Sequence, residues 1–167
     1  IKEYFVDGSQ WGVSINYLEE EAPLGTAGAL GLLPKNIRSP ILVVNGDILT
    51  RVDFRKLLQF HFDNHSDATL CVREHQTLVP FGVAEIDGVN LIKIDEKPYI
   101  KTHVNAGIYI VEPALLGLVS EKSFIDMPQL LSLAIADGHK VSAFPVHEYW
   151  LDIGQPETLA RAQGEWF

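Results

Sequence analysis

Cysteine is almost missing from this chain: among its 167 residues there is one, Cys71. A lone thiol cannot close an internal disulfide, and no Cys/His spacing has the form of a zinc site, so a reducing, cytoplasmic compartment is expected. Long apolar runs are missing too. Ile41 to Val44 is far short of the roughly 20 residues that cross a bilayer, and nothing at the N-terminus has the form of a signal peptide. Positive charge is scarce, with 13 Lys and Arg against 22 Asp and Glu and a net charge of −9. That balance argues against nucleic acid or an anionic membrane as a general partner. It leaves room for a phosphorylated small molecule, because a few amides, one lysine and a bound cation can hold phosphate inside an acidic protein. Repeats, low-complexity stretches and shifts in composition are absent. What is plentiful is apolar residues, 47% of the chain, enough to bury one sizeable core. A single domain over residues 1–167 is expected.

Strand-like and helix-like segments alternate, which predicts an α/β domain with a largely parallel sheet. Gly12 to Tyr17 alternates with Val13, Ile15 and Tyr17 on one face, the period of a strand. Thr26 to Leu33 reads as a small-residue helix stopped by Pro34. Ile41 to Val44 is continuously apolar and reads as a strand covered on both faces. Asp53 caps a helix with an apolar stripe of Phe54, Leu57, Leu58 and Phe62 that ends near Asn64. Strands follow at Asp67 to Val72, at Val83 to Ile86 and Leu91 to Ile94 around an Asp87-Gly88 hairpin turn, and at His103 to Val111. A helix spans Met127 to Ala136 and closes at Gly138; a strand covers Val141 to Val146; a last helix enters at Pro156.

Several short motifs carry chemistry, each beside a plainer reading. Leu24 to Leu30 (LGTAGAL) places glycines at a loop-to-helix junction, where a flat ring could approach the main chain; tight helix packing explains the same residues. Asn45-Gly46-Asp47 puts a carboxylate at the C-terminal end of a buried strand, where open α/β sheets bind ligands and where a hard oxygen suits Mg²⁺. A turn-forming Asx residue is the plain alternative, and position alone does not separate the two. In Trp150-Leu151-Asp152-Ile153-Gly154, a second acid precedes the last helix. Two acids on one cation would suit phosphoryl transfer, yet periodicity by itself favours a helix-entry cap for Asp152. Glu96-Lys97-Pro98 offers a hydroxyl acceptor and a phosphate-binding charge, or merely a solvated pair at a strand end. Gly82 allows close approach of a ligand or marks a bulge. His61 and His65 lie a helical turn apart but lack a third ligand, so His61 reads as packed, and Cys71 reads as a core thiol.

Taken in order, these pieces resemble the sugar-1-phosphate nucleotidyltransferase family across essentially the whole chain. Asp7 to Val13 with Ile15, Tyr17 and Glu20 resembles the segment that leads into the family's nucleotide-base loop, Leu24 to Leu30. Asn45-Gly46-Asp47 resembles its metal-binding motif. Phe81-Gly82-Val83, Glu96-Lys97-Pro98, Asn105-Ala106-Gly107-Ile108-Tyr109 and the Trp150 to Gly154 segment resemble its sugar-phosphate and second metal motifs. The resemblance implies a Rossmann-like, mixed, mostly parallel sheet flanked by helices. It implies that Leu24, Gly25, Thr26 and Gly46 bind the nucleotide, that Asp47 and Asp152 ligate Mg²⁺, and that Gly82, Glu96 and Asn105 contact the sugar while Lys97 meets its phosphate. The catalytic set is then Asp47, Asp152 and Lys97. The implied reaction is attack of a hexose-1-phosphate oxygen on the α-phosphate of a nucleoside triphosphate, with release of pyrophosphate. The LGTAGAL loop is similar to that of guanylyltransferases acting on mannose-1-phosphate, which implies GTP. Asp126-Met127-Pro128 and His147 to Trp150 are similar to a branch that uses glucosamine-1-phosphate in nonulosonic acid pathways.

The family's glycine-rich phosphate loop lies upstream of any segment present here. The expectation is therefore a C-terminal part of one nucleotidyltransferase domain, truncated at its N-terminus, inactive alone, and with Ile41 to Val44 left as an unpaired edge beside an apolar groove. Expected partners are a nucleoside triphosphate and a sugar-1-phosphate, with a homo-oligomer allowed and neither nucleic acid nor membrane. A catalytically silent regulatory or binding module of the same fold is the competing reading. Retention of both acids and Lys97 argues against it.

Overall fold

A computed structural model describes residues 1–166. In chain order the first elements are helix α1 (Lys2–Phe5), helix α2 (Gly25–Gly28), strands β1 (Ile41–Val44) and β2 (Ile48–Thr50), and helix α3 (Phe54–Asp63). Strands β3 (Ala68–Leu78), β4 (Gly82–Asp87), β5 (Asn90–Glu96) and β6 (Tyr99–Val111) follow. Helix α4 (Met127–Ala136), strands β7 (Val141–Pro145) and β8 (Trp150–Asp152), and helix α5 (Pro156–Glu165) complete the chain. It is a mixed α/β fold with a central sheet and flanking helices, and it divides into two compact units.

The first unit joins Ile1–Ile41 to Glu112–Lys140. Its core is made by Leu24, Ala27 and Leu30 together with Leu115, Met127, Leu130 and Ala134, all buried. Helix α4 has the bounds that its sequence predicts, because Pro128 sits in the first turn and Gln129 Oε1 accepts from the Asp126 N–H at 3.0 Å. The expected strand at Gly12 to Tyr17 does not form. Gly8 and Gly12 both turn left-handed (φ 80° and 72°), and the Val13 and Ile15 N–H groups donate back to the Gly8 and Asp7 carbonyls. Those amides are spent locally before any ladder can claim them. The expected Thr26 to Leu33 helix is likewise broken, into α2 and a 3₁₀ turn at Ala29–Leu32.

The second unit holds Leu42–Val111 and the chain from Val141 onward. Its four-stranded sheet has the order β1-β6-β3-β7, with β3 antiparallel to β6 and parallel to β7. The Val52, Leu57, Cys71, Ala106, Ile108, Ile110 and Val146 side chains form its core. Burying each large aliphatic one contributes about 1.5–3 kcal/mol. Asp53 caps α3 as its sequence predicts, accepting from the Arg55 and Lys56 N–H groups. Of the expected stripe only Leu57 is buried; Phe54, Leu58 and Phe62 are exposed, and His61 takes the second inward position, 2.8 Å from Thr69 Oγ1. Cys71 is fully buried, and burial, aided by the charge of Glu148, pushes its thiol pKa up to about 12.

Two features depart from what the apolar pattern alone predicts. Among the described residues strand β1 lies at the edge of the sheet, bonded to β6 alone, and Leu42 and Val44 are 45% and 39% exposed rather than covered on both faces. The β4–β5 hairpin forms a separate two-stranded ribbon in which every residue is exposed. Strands β2 and β8 pair with each other, antiparallel, outside the main sheet.

Candidate functional site

The two acids singled out by sequence are brought together by the β2–β8 pair. Asp47 directly precedes β2 and Asp152 ends β8, where it stands opposite Ile48. The Asp47 carbonyl accepts from the Ile153 N–H at 2.8 Å, closing the pair just beyond the acids. Asp152 does not cap the last helix. Gln155 occupies the cap position, and Asp152 Oδ1 instead accepts from the Gly154 N–H at 2.8 Å. A Cβ built on Gly154 would lie 3.1 Å from Asp152 Oδ1 and 3.1 Å from Asp47 Oδ2. Both carboxylates therefore border one small space that a glycine keeps open.

A wide irregularity in β6 holds the acid-bearing segments in place. Leu70 pairs with Tyr109 and Val72 with Asn105, so Cys71 alone faces Ala106, Gly107 and Ile108. Two carbonyls of that stretch serve the acids: Ala106 O accepts from Trp150 Nε1 at 2.7 Å, and Gly107 O accepts from the Asn45 N–H at 2.8 Å. Gly107 is left-handed (φ 69°), and a Cβ there would fall 2.9 Å from Asn45 Nδ2. Trp150 and Asn45, each two residues from an acid, are thus moored to the same backbone kink.

The residues expected at the sugar divide into two kinds. Gly82 and Glu96 face each other across the ribbon, and a Cβ at Gly82 would meet Glu96 Oε2 at 3.1 Å. Lys97 follows with a left-handed backbone (φ 48°), and its N–H donates to Phe81 O at 3.2 Å. Its side chain is exposed. Asn105 is different: its Oδ1 accepts from the Gly107 N–H at 2.8 Å and its Nδ2 donates to the Tyr109 hydroxyl at 2.6 Å. In this arrangement its amide braces the kink.

Leu24, Gly25 and Thr26, expected at the nucleotide, belong to the first unit. The Leu24 N–H donates to Glu20 Oε2 at 3.0 Å, and Leu24 O accepts from the Ile125 N–H at 2.9 Å. Gly25 is left-handed (φ 78°), with Ile125 O 2.7 Å from where a Cβ would stand. The Thr26 N–H donates to Asp126 Oδ1 at 2.9 Å. Gly46, in the second unit, has open space where a Cβ would project.

The donor set tells what the paired acids can hold. Among the described residues no group of three or more His, Cys, Asp and Glu side chains is arranged for a metal. Two hard carboxylates beside a glycine-sized space instead suit Mg²⁺, which takes one or two protein carboxylates and completes its shell with water and substrate phosphates. Sequence reading placed Asn45, Gly107, Trp150 and Gly154 inside its motifs but did not find how they set the acids: Asn45 acts through its backbone N–H, Trp150 through its indole N–H, and Gly107 and Gly154 through the space they leave. Among the described residues, no helix is long and apolar enough to cross a membrane.

Comparison with known proteins gives the family. The sequence profile described as "Nucleotidyl transferase" matches residues 1–166. The chain is 33% identical over 158 residues to a mannose-1-phosphate guanyltransferase of Pichia angusta, covering 90% of this chain and 43% of that protein. It is 30% identical over 169 residues to a mannose-1-phosphate guanylyltransferase of Mycobacterium tuberculosis, covering 96% and 46%. The chain thus spans under half the length of these relatives. Among solved structures, HddC from Yersinia pseudotuberculosis superposes with a TM-score of 0.69 at 24% identity, over 99% of this chain and 74% of the other, a likeness of fold.

Proposed function

The chain belongs to the nucleotidyl transferase family, and from that premise we propose that the protein carrying it transfers a nucleotidyl group from GTP to a hexose-1-phosphate, giving a nucleoside-diphosphate sugar and pyrophosphate. The observation that carries this reading is the meeting of Asp47 and Asp152 beside Gly154, from positions more than a hundred residues apart in sequence. Its guanylyl preference rests on the similarity to mannose-1-phosphate guanylyltransferases.

In this reading a sugar-phosphate oxygen forms a new bond to the α-phosphorus as the bond to pyrophosphate breaks. Such transfers are carried mainly by positioning and charge neutralisation. Asp47 and Asp152 would hold Mg²⁺, which when bound supplies positive charge to the phosphate oxygens. Lys97 sets an ammonium at the end of the ribbon for the sugar phosphate. Gly82 admits the sugar beside Glu96, whose carboxylate accepts from its hydroxyls, and Asn105 braces the kinked strand. Leu24, Gly25 and Thr26 in the first unit, and Gly46 in the second, are the residues assigned to the nucleotide.

The test is pyrophosphate release by the full-length protein with each nucleoside triphosphate and a panel of sugar-1-phosphates. GTP with a mannose- or glucosamine-type phosphate is expected to lead. Asp47→Asn should cut turnover on the order of 10²-fold, the usual scale for losing one preorganised charge contact in such a site. Unchanged turnover would remove the acid from this role.

A further inference from the structure

The loop that would carry the base is fastened to one distant side chain. Asp126 Oδ1 accepts from the Thr26 N–H at 2.9 Å and from Thr26 Oγ1 at 3.2 Å, across 100 residues of sequence. Thr26 Oγ1 in turn accepts from the Met127 N–H at 2.8 Å, and on either side Ala27 N–H meets Ile125 O at 3.0 Å while Ile125 N–H meets Leu24 O at 2.9 Å. Gly25 has no room for a Cβ, because Ile125 O and Asp126 Oδ1 would lie 2.7 and 2.8 Å from it. Leu24 to Ala27 is thereby laid against Ile125 to Met127 as a short zipper, with the Asp126 carboxylate at its centre.

This arrangement restricts what Thr26 can offer a ligand. Its N–H and hydroxyl are both engaged within the chain, so the loop contributes shape in place of hydrogen bonds from Thr26. We infer that Asp126 is a positioning residue for nucleotide binding: it touches no substrate, and it sets the pose of the Gly25-Thr26 backbone against which the base lies. The inference rests on the reading of that loop as the nucleotide surface. A helix cap alone would not require it, since both donors that converge on Asp126 Oδ1 come from Thr26 and not from the first turn of α4.

The test compares kinetics of the full-length protein, its Asp126→Ala, Asp126→Asn and Thr26→Val variants, and the variant that combines Asp126→Ala with Thr26→Val. Asp126→Ala is expected to raise KM for the nucleoside triphosphate roughly tenfold, the scale of hydrogen bonds to a charged group, while kcat and the sugar-phosphate KM stay within about twofold. Asp126→Asn keeps the cap and a neutral acceptor, so it should recover most of that loss; it also serves if the alanine variant does not fold. Adding Thr26→Val to Asp126→Ala should cost little beyond either change alone, because both break one contact. Equal changes in both KM values, or a fall in thermal stability with the nucleotide KM unmoved, would overturn the inference while leaving the function standing. Wild-type protein that turns over no nucleoside triphosphate would overturn both.

Discussion

Around Gly107, a kinked strand offers its carbonyls to Trp150 and Asn45, and through them fixes the two acids; in the β4–β5 ribbon, Gly82, Glu96 and Lys97 ride on a ladder with no buried residue. The acids are exposed, yet their surroundings are tied to the core of Ala106, Ile108 and Ile110. The ribbon has no such anchor, and a two-stranded hairpin is marginal by itself. Fixed carboxylates suit charge that develops at one point. A yielding ribbon suits a substrate that must enter and leave, since elements with few buried contacts open at low cost.

The contrast can be broken most sharply at Gly107. Gly107→Val puts a β-branched residue at φ 69° and a Cβ 2.9 Å from Asn45 Nδ2, and should cost about 3 kcal/mol in urea unfolding, combining backbone strain with overpacking. A variant as stable as wild type would show that the kink does not fix the acids. Gly154→Ala should act without unfolding anything, because the crowded atoms are carboxylate ends; it should raise the Mg²⁺ concentration for half-maximal activity roughly tenfold, the lower end of what disturbed ligand support costs. An unchanged Mg²⁺ requirement would separate the acids from the metal.

The core behind the kink makes a pH prediction. Cys71 keeps its proton to about pH 12 in the folded chain, while an unfolded thiol ionises near 8.5. Between those values the unfolded state binds fewer protons, so stability should fall as pH rises from about 8.5, and Cys71→Ala should flatten that slope despite its lower starting stability. The smallest effect belongs to the ribbon. Ile92, 60% exposed, should tolerate Ser within about 0.5 kcal/mol, and ribbon amides should exchange faster than those of the β3–β6 ladder. A loss well above that would mean that the whole protein covers this face.

What could be read in advance followed local chemistry. Asp53, with its two amide partners, and Met127 to Ala136, with Pro128 and Gln129, were legible because caps are written within four residues. Asp47 and Asp152 emerged from motif order, whereas periodicity took Asp152 for a cap; Pro156 at the first helical turn leaves that place to Gln155. Gly12 to Tyr17 misled because alternation states which side would be buried, not whether a partner strand exists. Strands β3 and β6 run beyond their apolar segments through polar pairs such as Gln76 with Lys101, where both faces meet water and no hydrophobic period can mark them. The kink at Gly107 depends on pairing across strands and has no local signature beyond its glycine.

The clasp between Thr26 and Asp126 also sets an order of assembly. The unit that contains it is written in two pieces, Ile1–Ile41 and Glu112–Lys140, with residues 42–111 of the other unit synthesised between them. Closing a chain segment of 100 residues costs on the order of 4 kcal/mol in entropy, and it cannot begin until the ribosome has passed Asp126. The β3–β6 ladder, by contrast, has both its strands in hand once Val111 has emerged. During synthesis the scaffold of the acids can therefore form first, and the Leu24 to Ala27 loop takes its final shape among the last events of folding.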